Sequence, residues 1–311
     1  MDFQIQTYPT FSWSLSRHKT LMNCPRQYAF HYYVSHNGWL NNATPLAKHA
    51  YRLKKLTTLP LLFGSATHGF IERSLKDYMD GRPIPSAERF NQMIRKNLNN
   101  AFKISTQMPQ LWQERPSKYP MLHEIYYDGA ISPDAIAEMN ERIDGCTTHF
   151  YKSKSYETLT DSSTHIVQVE RFDRMFIEEL PIYVSLDVLY KDHNGTWYIV
   201  DWKTGYEYED DPLQLALYAL FVMDKYTLAS LDNLVIRNEY LFLGKTKEYT
   251  LSNDLLHRID YTMKASIEEM KKYLVDVEQN QPVDLTDFPA YPEPKKCQRC
   301  PFQELCQHRA N

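Results

Sequence analysis

Apolar residues recur every three or four positions through most of the first 160 residues, and from Thr164 onward they alternate with polar ones in short runs. The first rhythm predicts helices and the second predicts strands. Residues 16–35 read as a helix, with Ser16 as N-cap and Leu21, Cys24, Tyr28, Phe30 and Tyr32 on a mostly apolar face. A looser basic stretch follows from His36 to Leu59. Phe63-Gly-Ser-Ala-Thr-His68 then leads into a helix ending near Tyr78, with Ser65 or Thr67 as its cap and His68 in its first turn. Residues 86–105 and 133–152 are further helical stretches, and 106–132, rich in Pro, Tyr and Trp, reads as a loop.

Ile166–Glu170 and Met175–Ile177 alternate as two strands. Pro181–Tyr190 and Trp197–Trp202 are two more, joined by an Asp-His-Asn-Gly turn at 192–195. Residues 210–226 form a helix, with Asp210 or Asp211 as cap and Pro212 in its first turn. Leu234–Leu243 returns as a strand, and 253–279 reads as one long helix. A hairpin followed by a crossover unit predicts an α/β core with a mixed sheet. The expected organisation is a single domain over 1–311. It comprises an N-terminal helical segment (1–60), a helical region (70–160), an α/β core (164–250) and a C-terminal helix with a cysteine cluster (251–311).

Charge changes this picture. The net charge is -4, which argues against a uniformly basic nucleic-acid binder, yet residues 1–110 hold 14 Lys and Arg against 5 Asp and Glu. A basic N-terminal part suits phosphate contacts, and the acidic remainder suits metal-binding carboxylates. No apolar run approaches the ~20 residues that span a bilayer, and the opening MDFQIQTYPTFSW has no basic stretch leading into an apolar run. The expectation is a cytoplasmic protein, or one of another DNA-containing compartment.

The stretch Ser185-Leu-Asp187 … Ile199-Val-Asp201-Trp-Lys203-Thr-Gly205 carries the most chemistry. Antiparallel pairing brings Asp187 and Asp201 side by side, a donor set for Mg²⁺ or Mn²⁺, which take one or two carboxylates plus water and phosphate. Asp201 and Lys203 are two apart and share a strand face. A lysine there can orient or deprotonate a water and offset charge on a phosphate. Gln214 and Tyr218 are four apart and share a helix face.

Asp187…Ile-Val-Asp201-Trp-Lys203-Thr-Gly…Gln214-Leu-Ala-Leu-Tyr218 resembles the RecB-type signature of the PD-(D/E)XK nuclease superfamily. The resemblance covers roughly residues 60–220. It implies a restriction-endonuclease-like core in which Asp187 and Asp201 bind metal, Lys203 activates water, and Gln214 and Tyr218 act near the DNA backbone. It also implies that His68 completes the metal site. Glu170 falls where the family often shows an acid. One departure is Val184-Ser185-Leu186, where many relatives have a Gly and a basic residue.

Cys297-Gln-Arg-Cys300 followed by Cys306 has the spacing of metal- or cluster-chelating thiolates, and Cys24 is the natural fourth ligand. One cysteine before the core and three after it resemble the iron–sulfur nucleases, among them the AddB nuclease domain, the CRISPR-associated adaptation nucleases and the Dem1-type exonucleases. The resemblance implies a 4Fe-4S cluster on Cys24, Cys297, Cys300 and Cys306. Zinc is the alternative occupant of four cysteines, and Cys146 reads as a small apolar packing residue. The implied activity is a metal-dependent deoxyribonuclease, an exonuclease acting on single-stranded DNA or DNA ends, with a helicase or other DNA-processing protein as the expected partner. The rival readings are a catalytically inactive iron–sulfur scaffold subunit of a DNA-processing complex and a zinc-stapled interaction module.

Overall fold

A computed structural model describes residues 5–226, 228 and 231–310. The first predicted helix is two. α1 (Leu15–Asn23) is capped by the Ser14 hydroxyl, which accepts from Arg17 N, and α2 (Pro25–Ala29) runs into one wide helical turn over Phe30–Val34. The break falls at Cys24, whose backbone is extended because Pro25 disfavours a helical residue before it. Cys24 thus leaves the apolar face and becomes a junction. The basic stretch holds a helix of its own, α3 (Pro45–Lys54), started by the Thr44 cap and Pro45.

α4 (Leu59–Met79) begins earlier than its pattern suggests, at the Thr58 cap, which accepts from Leu61 N. His68 therefore sits in mid-helix rather than in a first turn, held by a rigid element on both sides. α5 (Ala87–Gln107) and α8 (Pro133–Phe150) match their predicted spans. Between them, α6 (Pro109–Glu114) and α7 (His123–Asp128) occupy what reads as loop, and a two-residue strand β2 (Met121–Leu122) pairs in parallel with β1 (Leu56–Thr57). α8 (Pro133–Phe150) and a short α9 (Lys154–Leu159) complete the helical region.

The main sheet has five strands in sequence order. β3 (His165–Ile177), β4 (Leu180–Lys191) and β5 (Trp197–Lys203) run antiparallel. β5 pairs in parallel with β6 (Leu234–Tyr240), which turns back into β7 (Lys245–Tyr249). The parallel step is made by α10 (Asp211–Tyr226). The two short strands expected at 166–177 are one long one, irregular between Ile166 and Gln168 and again at Glu170, whose φ is +35°. β7 is an unpredicted return strand, made possible by Gly244 at φ +62°. α11 (Asn253–Lys271) is shorter than the predicted 253–279. The β-prone residues after it form a small hairpin, β8 (Leu274–Asp276) with β9 (Gln281–Pro282), and α12 (Pro294–Arg299) carries Cys297.

Each face of the sheet is covered, so the molecule has three layers. On one face Ile182, Leu186, Ile199 and Ile236 pack with Leu215 and Phe221 of α10 and Ile259 and Met263 of α11. On the other, Val188, Val200 and Trp202 pack with Phe63 and Phe70 of α4, Phe90 of α5 and Phe150 of α8. Cys146 is fully buried in this second core, as its small apolar character predicts. No helix among the described residues is long and apolar enough to cross a membrane.

Candidate active site

β4 and β5 pair from Val188↔Val200 to Lys191↔Trp197, and no pairing continues past Val188. Two acidic side chains lie at this fork. Asp187 Oδ2 accepts a hydrogen bond from the Trp202 backbone N–H, 2.7 Å away, a donor that the ladder leaves free. Its other oxygen, Oδ1, lies 3.2 Å from His68 Nδ1, and Glu170 Oε1 lies at the same distance from that nitrogen. His68, Glu170 and Asp187 thus bring one nitrogen and two carboxylate oxygens within 4.8 Å of one another. The positive φ of Glu170 is strained for a residue with a side chain, and it occurs at a residue of this cluster.

Asp201 faces α10. Its Oδ1 accepts from Gln214 Nε2 at 3.0 Å, and its Oδ2 from Lys203 Nζ at 2.9 Å and Asn238 Nδ2 at 3.2 Å. Lys203 also donates to Gln214 Oε1 at 2.8 Å, and Gln214 Nε2 lies 2.6 Å from the Tyr218 hydroxyl. The five residues Asp187, Asp201, Lys203, Gln214 and Tyr218 therefore converge on one end of the sheet. Asp201 is not in the His68–Glu170–Asp187 group; its oxygens are held by Lys203, Gln214 and Asn238.

Electrostatics mark the same spot. Burial pushes the Asp187 carboxyl up to about 6; the nearby His68 pulls against that shift, while Asp201 adds to it. Burial opposes charge on His68, but Asp187, Glu170 and Asp201 outweigh it and hold the imidazole well above its ordinary range. Burial likewise opposes charge on Lys203, and Asp201 and Asp211 outweigh it, so the ammonium is held above its usual value. Burial raises the Tyr218 hydroxyl, with the two aspartates adding to it. Buried, perturbed acids and bases gathered at one point mark a candidate functional site.

Two residues of this end carry weaker sequence signals. Asn238 reaches Asp201 from β6 through the parallel register Asp201↔Asn238, a pairing that only the crossover creates. Asp211, read as a helix cap, instead accepts from Tyr208 N and the Tyr240 hydroxyl and lies 3.6 Å from Lys203.

Far along the chain but together in space, Cys24, Cys297, Cys300 and Cys306 line one pocket, walled by Phe30 and Phe302. All four are free thiols. Burial pushes Cys300 up to about 12, the other three cysteines add to the shift, and the Phe302 backbone N–H opposes it. The junction is reinforced around them. Arg26 donates to the carbonyls of Phe288 (2.8 Å) and Thr286 (3.2 Å), Tyr127 to that of Pro301 (2.7 Å), and Tyr126 to Glu304 (2.8 Å).

The sequence profile of the PD-(D/E)XK nuclease superfamily matches residues 12–307 of the chain. No curated protein matches it. Among solved structures, one titled "Crystal structure of SSO0001" matches at 12% identity and a TM-score of 0.29, over 79% of this chain and 97% of that one.

Proposed function

The chain belongs to the PD-(D/E)XK nuclease superfamily, and from that premise we propose that it is a Mg²⁺- or Mn²⁺-dependent deoxyribonuclease, acting as an exonuclease on single-stranded DNA or DNA ends. The observation that carries the reading is the convergence of His68, Glu170 and Asp187 beside the Asp201–Lys203–Gln214–Tyr218 network. A nitrogen and two carboxylate oxygens within 4.8 Å fit a hard divalent cation. In this reading His68, Glu170 and Asp187 hold the ion, and Asp201 joins them by exchanging one of its hydrogen bonds for it. When bound, such an ion supplies positive charge for the scissile phosphate and a water of lowered pKa.

The chain's own residues do the rest. Lys203, an ammonium fixed between Asp201 and Gln214, offers hydrogen bonds and charge to the attacking water and the developing phosphorane. Gln214 hydrogen-bonds Lys203, Asp201 and the Tyr218 hydroxyl together, so the lysine and the acid stay aimed without substrate. Trp202 N fixes Asp187 from the backbone, leaving its second oxygen for a ligand.

Cys24, Cys297, Cys300 and Cys306 would hold a 4Fe-4S cluster. Their shared pocket supports this. A cluster there clamps α2 to the C-terminal segment and so fixes the basic N-terminal part beside the sheet. The nuclease reading is tested with end-labelled single- and double-stranded DNA in Mg²⁺, Mn²⁺ or chelator. Metal-dependent shortening from the ends supports it, and strands left whole in both metals overturn it.

A further inference from the structure

The β3–β4 ribbon runs past the rest of the sheet, and its outer face is not polar. Phe172 is 69% exposed and Phe176 57%, with Arg174 between them on the same face and its guanidinium 5.1 Å from the Phe176 ring centre. Phe172 lies on Tyr183 with ring centres 5.0 Å apart and planes inclined by 21°. An exposed aromatic pair costs solvation and contributes nothing to either core. Both rings line a groove along the edge of β4, which continues past Arg17 and Lys19 to Gln214 and Tyr218. Counting along the strands, Phe172 is two residues from Glu170 and Tyr183 four from Asp187, or about 7 Å and 13 Å at strand spacing. Exposed rings, cations interleaved with them and a groove ending at Gln214 and Tyr218 of the active-site network together match one kind of occupant: an unpaired nucleotide strand, whose bases stack on rings while its phosphates meet cations.

We propose that the Phe172–Tyr183 stack, continued by Arg174 and Phe176, is a base-stacking platform that feeds single-stranded nucleic acid along the β4 edge into the active site, with Arg17 and Lys19 taking its phosphates. The proposal rests on the nuclease reading for what lies at the groove's end, but the platform binds whether or not the strand is cut. A duplex keeps its bases stacked on one another, so the platform selects unpaired strands.

The test measures binding with cleavage removed. Lys203→Ala protein is titrated, by fluorescence anisotropy in chelator, into a labelled single strand, the matching duplex, and the same strand with abasic positions. Adding Phe172→Ala should weaken single-strand binding about tenfold or more and leave duplex and abasic-strand binding within twofold. Phe172→Trp should restore the single-strand affinity. Unchanged single-strand binding by Phe172→Ala overturns the platform, as does an equal loss on the abasic strand. Ring-dependent binding by a protein whose parent does not cut DNA would instead leave the platform standing and remove the nuclease reading.

Discussion

Arg237 is 1% exposed at the centre of β6, next to the residue that hydrogen-bonds Asp201. Its Nη1 donates to Ser155 Oγ at 3.0 Å and Tyr190 Oη at 2.9 Å, its Nη2 and Nε reach Glu248 at 2.7 and 3.1 Å, and the guanidinium lies 4.7 Å from the Tyr198 ring centre. Ser155 in turn donates to Glu239, a buried carboxylate, from both its hydroxyl (2.6 Å) and its backbone N–H (2.8 Å). Arg237→Met keeps the volume and removes the cation. The Glu248 pair is half in solvent and is worth little, but the buried hydroxyls lose their donor and Glu239 loses the charge linked to it through Ser155. Stripping one partner from such a network costs about 3–5 kcal/mol. At about 2 °C per kcal/mol for a chain of this size, the midpoint of thermal unfolding should fall by about 6–10 °C. Adding Glu239→Gln should recover about 1–2 kcal/mol, because the carboxylate no longer needs the charge. Urea unfolding of the single and double variants measures both numbers. A loss below about 1 kcal/mol for Arg237→Met, or no recovery in the double variant, would refute the idea that this network fixes β6 beneath the site.

The remaining predictions concern the two ends of the chain. Protein purified without oxygen should be brown with about four irons per chain, and Cys24→Ser should bleach it as fully as Cys300→Ser; a Cys24 variant that stays brown contradicts the shared site. Neutralising Arg17 and Lys19 should flatten the salt dependence of single-strand binding, and an unchanged slope would place the phosphate track elsewhere. Arg26→Ala should instead lower stability, since its donors are spent on the carbonyls of Phe288 and Thr286; equal melting points would contradict that. Trp13→Ala, which empties a fully buried site and removes the 3.1 Å hydrogen bond to Ser266, should cost about 3–5 kcal/mol in urea titration.

What the sequence shows and what it hides divide along physical lines. Asp201, Lys203, Gln214 and Tyr218 are legible because strand and helix periods place them two and four apart, and one turn joins the elements that carry them. The hairpin brings Asp187 near the site, although the pairing itself stops at Val188↔Val200, one residue short of it. The sequence sets His68 in a first turn because Ser65 and Thr67 look like caps, whereas Thr58 with Pro60 starts the helix about two turns earlier. Glu170 depends on a positive φ that no local signal announces, and Asn238 on a parallel register set only when α10 has packed. Cys24 reads as part of a helical face, yet the proline that follows it breaks the helix and turns it toward the three C-terminal cysteines.

The most direct test of the active-site assignment compares the wild-type protein with Asp187→Ala, Asp201→Ala and Lys203→Ala on one end-labelled single strand in Mn²⁺, with binding measured in parallel in chelator. Wild-type protein should cut only with metal. Each variant should cut at least about 10²-fold more slowly while binding the strand as tightly as the parent. Normal cleavage by all three variants, or cleavage that persists in chelator, would contradict the assignment.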